Sequence, residues 1–131
     1  MVQITNTNFG ALVEPQETNM FGFEVQGNIG ATATCDFSAA PLGMIQVTVT
    51  EIVTGLTITP PTVAAGKMAL FVLRLVNASH YAVTFVGVDR WVGTGVPDFT
   101  KATEDVVEIN FRWDGTILEG IAVAEFYEVP E

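Results

Sequence analysis

The chain has 131 residues, 49% of them hydrophobic and 15% charged, with a formal net charge of −10. That length holds one domain with a buried core, and so apolar a composition excludes a disordered chain. The basic residues Lys67, Arg74, Arg90, Lys101 and Arg112 are scattered, so the chain lacks the cationic footprint that nucleic acid or an anionic membrane surface requires.

Average domains carry roughly 25% charged residues, so this chain has little charge with which to cover its surface. Part of that surface is expected to meet a partner, and an oligomer is the simplest way to do so. A single cysteine, Cys35, excludes an intrachain disulfide. It follows the strand-like run 31–34 and reads as a small buried hydrophobe. The N-terminus lacks a basic region followed by an apolar run, and no apolar stretch approaches the ~20 residues of a membrane helix. A product made and assembled in a cytoplasm is expected.

In chain order, residues 1–8 set Val2 and Ile4 against Gln3 and Thr5, and Phe9 and Leu12 continue the apolar character. The run Glu14-Pro15-Gln16-Glu17-Thr18-Asn19 is polar. Residues 1–19 therefore read as an N-terminal arm or edge segment, with Val2, Ile4, Phe9 and Leu12 as candidate interface residues toward a neighbouring subunit. Residues 20–131 read as the domain itself.

Phe21, Phe23 and Val25 share one face of a strand, Gly27-Asn28 reads as a turn, and residues 29–35 as a returning strand, so the pair is expected as a hairpin. After a loop over 36–43, Ile45, Val47 and Val49 oppose Gln46, Thr48 and Thr50 with the period of a half-buried strand. Gly55 is expected to break that strand, and Pro60-Pro61 to end a short one over 56–59, since proline cannot donate to a ladder. Gly66 leads into residues 67–76, an apolar run that reads as a strand buried on both faces. Asn77-Ala78-Ser79 is a turn before the β-branched and aromatic run 81–86.

Val107, Ile109, Phe111 and Trp113 alternate with Glu108, Asn110 and Arg112, and Asp114-Gly115 signals a hairpin back through residues 117–123. The tail 124–131 reads as an edge strand. No amphipathic run follows a capping signal, so no helix is expected. About nine or ten short strands point to an all-β fold, a single antiparallel β-sandwich of jelly-roll-like kind.

Catalytic chemistry has little footing. His80 is the sole histidine, which leaves zinc without a ligand set. Glu104-Asp105 reads as a solvated loop, and no calcium loop, phosphate loop or nucleophile elbow is present. The chain is expected not to be an enzyme and to use no cofactor or metal. Trp113 shares a face with Phe111 and Ile109 and reads as core. Trp91 stands at a loop entrance, where packing and an anchoring role are both open.

Residues 83–115 carry a pattern: a strand, then W-x-G-x-G-x-P-x-F-T at Trp91, Gly93, Gly95, Pro97, Phe99 and Thr100, an acid at Asp105, a second strand and the Asp114-Gly115 turn. It resembles a domain of structural proteins of tailed bacteriophages, found in tail-fibre tips, head fibres and capsid decoration proteins. In the usual form a second glycine directly follows the first, whereas here Thr94 separates Gly93 from Gly95. Residues 34–37, the strand around 45–50 and the strand led by Gly66 agree upstream, so the resemblance spans roughly residues 30 to 123.

The resemblance implies a virion structural protein. Foremost is a capsid decoration, or cement, protein on the capsid surface that stabilises the major capsid protein shell as a homotrimer. The alternative is a fibre-tip domain that recognises a host-surface glycan or protein. In the resembled domain the tryptophan is a packing residue that pins its loop.

Overall fold

The computed structural model describes residues 22–38, 42–93, 95–101 and 106–122. The segments read above as an arm, as a C-terminal edge strand and as the boundary between arm and domain lie outside these residues. The described chain is all-β. Its strands are β1 (Gly22–Ile29), β2 (Thr32–Asp36), β3 (Leu42–Val49), β4 (Val53–Thr59), β5 (Ala69–Val76), β6 (Val83–Val86), β7 (Arg90–Val92), β8 (Val106–Trp113) and β9 (Leu118–Ala122). A 3-10 turn, Phe99–Lys101, is the one helical element among the described residues.

Two sheets form. One has the order β1-β3-β5-β8-β9-β7, the other β2-β4-β6. Through β6 the chain alternates between them, laying each new strand parallel to the one it placed there a pass earlier. The result is a coil of three passes: β1 with β2, β3 with β4, β5 with β6. Beyond it, β8 runs antiparallel to β5, β9 antiparallel to β8, and β7 parallel to β9. The corners of successive passes are bonded to one another. Thr54 N and Gly55 N both donate to Ala31 O, at 2.8 and 3.2 Å, Thr50 Oγ1 donates to Ile29 O at 2.9 Å, and Val53 N donates to Ala82 O at 2.9 Å.

Period-two patterning selects the buried face of each strand. Ile45, Val47 and Val49 of β3, Phe71, Leu73 and Leu75 of β5, and Val107, Ile109 and Phe111 of β8 all point inward. They meet Cys35, Val53, Leu56 and Ile58 of the second sheet in one continuous core. Burying each large side chain contributes about 1.5–3 kcal/mol. Four ring contacts cross this core in series: Phe37–Phe71 at 4.4 Å, Phe71–Phe111 at 5.5 Å, Phe111–Trp91 at 6.2 Å and Trp91–Phe85 at 5.2 Å between centroids.

Four expectations need correction. The strand pairing is mixed and, through the first six strands, parallel, so the antiparallel jelly-roll-like arrangement is not what these strands form. The β1–β2 hairpin does not exist, because β1 and β2 belong to different sheets. Gly27, at φ +80°, serves a bulge within β1, where Gln26 is the extra residue between Val25 and Gly27. Likewise Gly55 lies inside β4, and the chain breaks at residues 50–52 instead. Finally, β5 is buried on one face only: Leu70, on the other, is 68% exposed.

Candidate interaction surface

The registers of the six-stranded sheet place Phe23, Met44, Val72, Asn110, Ile121 and Val92 opposite one another in a single row across all six strands. The row lies on the outer face. Phe23 and Val92 are 53% and 41% exposed, and Met44, Val72 and Ile121 are half-buried. An apolar stripe thus runs at right angles to the strands, interrupted by one asparagine.

Rows that carry the ion pairs of this face flank the stripe, each over four strands and each with one exposed apolar side chain. On one side Leu70, Arg112, Glu119 and Arg90 are in register. Glu119 takes Arg90 Nη2 at 2.6 Å through Oε2 and Arg112 Nη2 at 2.9 Å through Oε1. On the other side Val25, Gln46, Arg74 and Glu108 are in register. Arg74 Nη2 reaches Glu108 at 2.9 Å, and its guanidinium lies 5.6 Å from the centre of the Phe23 ring. Between the two rows lies a groove of about 670 Å³, lined among others by Phe23, Met44, Leu70, Val72 and Ile121.

Three of the five basic residues of a chain of net charge −10 therefore project from this face, against two carboxylates among the described residues. One polar atom on it, Arg112 Nε, is buried without a hydrogen-bond partner.

The motif residues lie at the sheet's far edge and beneath it. Trp91, on β7, is half-buried and turns inward against Phe111 and Phe85. It stands over Gly120, its neighbour on β9, where a β-carbon would lie 2.7 Å from Trp91 Cε3 and closer still to Cζ3. Gly93 and Gly95 both hold φ +101°, which L side chains rarely adopt. Pro97 is buried, and Phe99 is 4% exposed within the core. Asp98 Oδ1 accepts from Thr100 N at 3.1 Å and from Thr100 Oγ1 at 2.6 Å, which fixes the 3-10 turn.

The Asp114-Gly115 turn joins β8 to β9 as read from the sequence. Asp114 Oδ1 accepts from Thr116 N and Ile117 N, both at 2.8 Å, and these bonds hold its carboxyl below the usual carboxylate range. Leu118 N donates to Asp89 Oδ2 and Asp89 N to Leu118 O, both at 2.8 Å, which ties the start of β7 to this hairpin. Val2, Ile4, Phe9 and Leu12 lie outside the described residues.

Cys35 is fully buried, and burial, with a smaller contribution from the Glu24 charge, pushes its thiol up to about 12. At neutral pH it is not a thiolate nucleophile. Among the described residues no three His, Cys, Asp or Glu side chains gather as a metal site. The stripe itself escaped the sequence reading. Its signal was the second apolar face of β5, where Leu70 and Val72 precede Arg74 in the same alternation.

Fold and surface together define a two-sheet, all-β domain with one sheet face left apolar and edged by ion pairs. No protein-family model matches the chain, and neither a curated protein nor a solved structure shows significant similarity to it.

Proposed function

We propose that the chain is a structural protein of a tailed-phage virion, acting as a capsid decoration protein that binds the major capsid shell as a homotrimer. The observation that supports this most is the setting of the motif tryptophan. Trp91 packs over Gly120 and against Phe111, and Phe99 is buried at the far end of the same loop. The loop is thereby pinned at both ends, which is the role the resemblance implies for this tryptophan. Between the pins, Val96 is 67% exposed. An exposed apolar side chain next to the buried Pro97 suits contact with a protein surface.

The mechanism on this reading is mechanical. Each subunit bridges neighbouring capsid proteins, and many copies share the load, so modest single contacts suffice through avidity. No catalytic step or cofactor is part of it.

The test is gold labelling of particles from the source phage with antibody to this chain, paired with the solution mass of the purified protein. Label spread over the head together with a trimer mass supports the proposal. Label confined to one vertex or to the tail tip replaces it with host recognition by a fibre tip. A stable monomer without affinity for heads overturns it.

A further inference from the structure

We infer that the apolar stripe on the six-stranded sheet is the docking site of the chain's own residues 1–21. The stripe is too continuous to be a scatter of surface hydrophobes. Five of its six side chains are apolar, and it crosses the whole sheet with exposed Leu70 and Val25 in the rows beside it. A surface of that kind on a folded domain marks a contact.

Three observations select the occupant. The first is where the chain enters the fold. Residues 1–21 lie outside the described residues and join it at Gly22, which lines the groove beside Phe23, at one end of the stripe. The second is length. Six strands spaced about 4.8 Å apart make the stripe about 24 Å long, which about eight extended residues span. The polar run 14–19 supplies chain enough to reverse direction, and residues 1–13 then exceed the length required.

The third observation is chemistry. Residues 1–13 bring Val2, Ile4, Phe9, Leu12 and Val13 and carry no charged side chain, which suits an apolar floor. Residues 14–21 bring Glu14 and Glu17 and no basic residue. The part that lies along the stripe is thus uncharged, and the two carboxylates fall in the run that reverses direction.

The docked segment lies across the strands and fills the groove with side chains. It differs in this from an added edge strand, which would pair with β1 or β7 through backbone hydrogen bonds. It also differs from the arm toward a neighbouring subunit expected from the sequence, because the sheet it covers is its own.

The test is photo-crosslinking of the full-length protein with a benzophenone amino acid at Phe9 or at Leu12, using an equal mixture of unlabelled and nitrogen-15-labelled chains. The expected result is crosslinks to Met44, Val72 or Ile121 in peptide pairs of a single isotope. Crosslink yield should fall several-fold in the variant Val72→Glu, whose unchanged circular dichroism would show that the sheet is intact. Mixed-isotope pairs on the stripe would overturn the inference in favour of a second copy as the occupant. Crosslinks that avoid the stripe altogether would also overturn it.

Discussion

Gly120 is the residue on which the Trp91 corner depends. Any β-carbon there enters the Trp91 ring, so Gly120→Ala should cost about 1–3 kcal/mol, as overpacking does elsewhere. Thermal unfolding should show it, and Trp91→Leu should restore part of the loss in the double variant, because the two residues touch. Cys35 supplies a pH signature. Its folded pKa, about 12, exceeds the ordinary value of 9.0. The neutral thiol is thus favoured in the fold, and its contribution is complete below pH 9 and declines as pH rises toward 12. Stability over that window should fall by about 1.4 kcal/mol per pH unit more in the wild type than in Cys35→Ala. Urea titrations at pH 8, 10 and 11 would measure the difference. Asp114 works in the opposite sense. Its lowered carboxyl pKa stabilises above the unfolded value of 3.8, and that contribution disappears as pH falls through the folded value. Asp114→Ala should therefore lower the melting temperature at pH 7, and the difference from wild type should shrink in acid.

At the scale of elements, the outer rows of the six-stranded sheet form a linked set of ion pairs. Glu119 serves two arginines, so losing one leaves it paired. Arg112→Met should change stability by less than about 1 kcal/mol, since it also removes a buried Nε without a partner. Arg90→Met with Arg112→Met strands Glu119, whose side chain is only 18% exposed, and should cost more than the two single changes summed, by about 0.5–2 kcal/mol. A double-mutant cycle in urea gives that excess directly. The same elements show what the sequence makes legible. Alternation in β3 and β8 named the buried faces correctly, because a strand's period is a local property, whereas the unbroken apolar run of β5 hid which face is outer. The Asp114 turn was legible for the same reason, as its bonds span three residues. Strand partners were not, since Ile29 meets Val49 and Cys35 meets Ile58 only after a full pass of intervening chain. Gly27 was mistaken for a hairpin turn because a bulge and a turn ask the same positive φ of a glycine. The stripe stayed hidden because it is a row across six strands, and a row exists only once the registers are set.

For the molecule as a whole, the topology sets the order of assembly. Every pair among the first six strands closes over an intervening strand of the other sheet, whereas β8 and β9 close over a four-residue turn. Local closure is entropically cheap and parallel pairing is slow. The β8–β9 hairpin, with β5 laid against it, should therefore be formed in the folding transition state. Leu118→Ala should slow refolding, while Val49→Ala, in the middle pass, should mainly accelerate unfolding. Stopped-flow refolding and unfolding in urea would separate the two.

The coil of three passes has one more consequence, and it concerns length. Each pass adds one strand to each sheet and is bonded at its corner to the pass beside it. Nothing in the geometry of a middle pass records its place in the count. A fourth pass inserted between Thr59 and Ala69 would widen both sheets by one strand and leave the β1 end and the β8–β9–β7 end as they are. The stripe would lengthen with it, by one inter-strand spacing. A lineage built on this coil can thus change the reach of its outer face in fixed increments without redesigning either boundary.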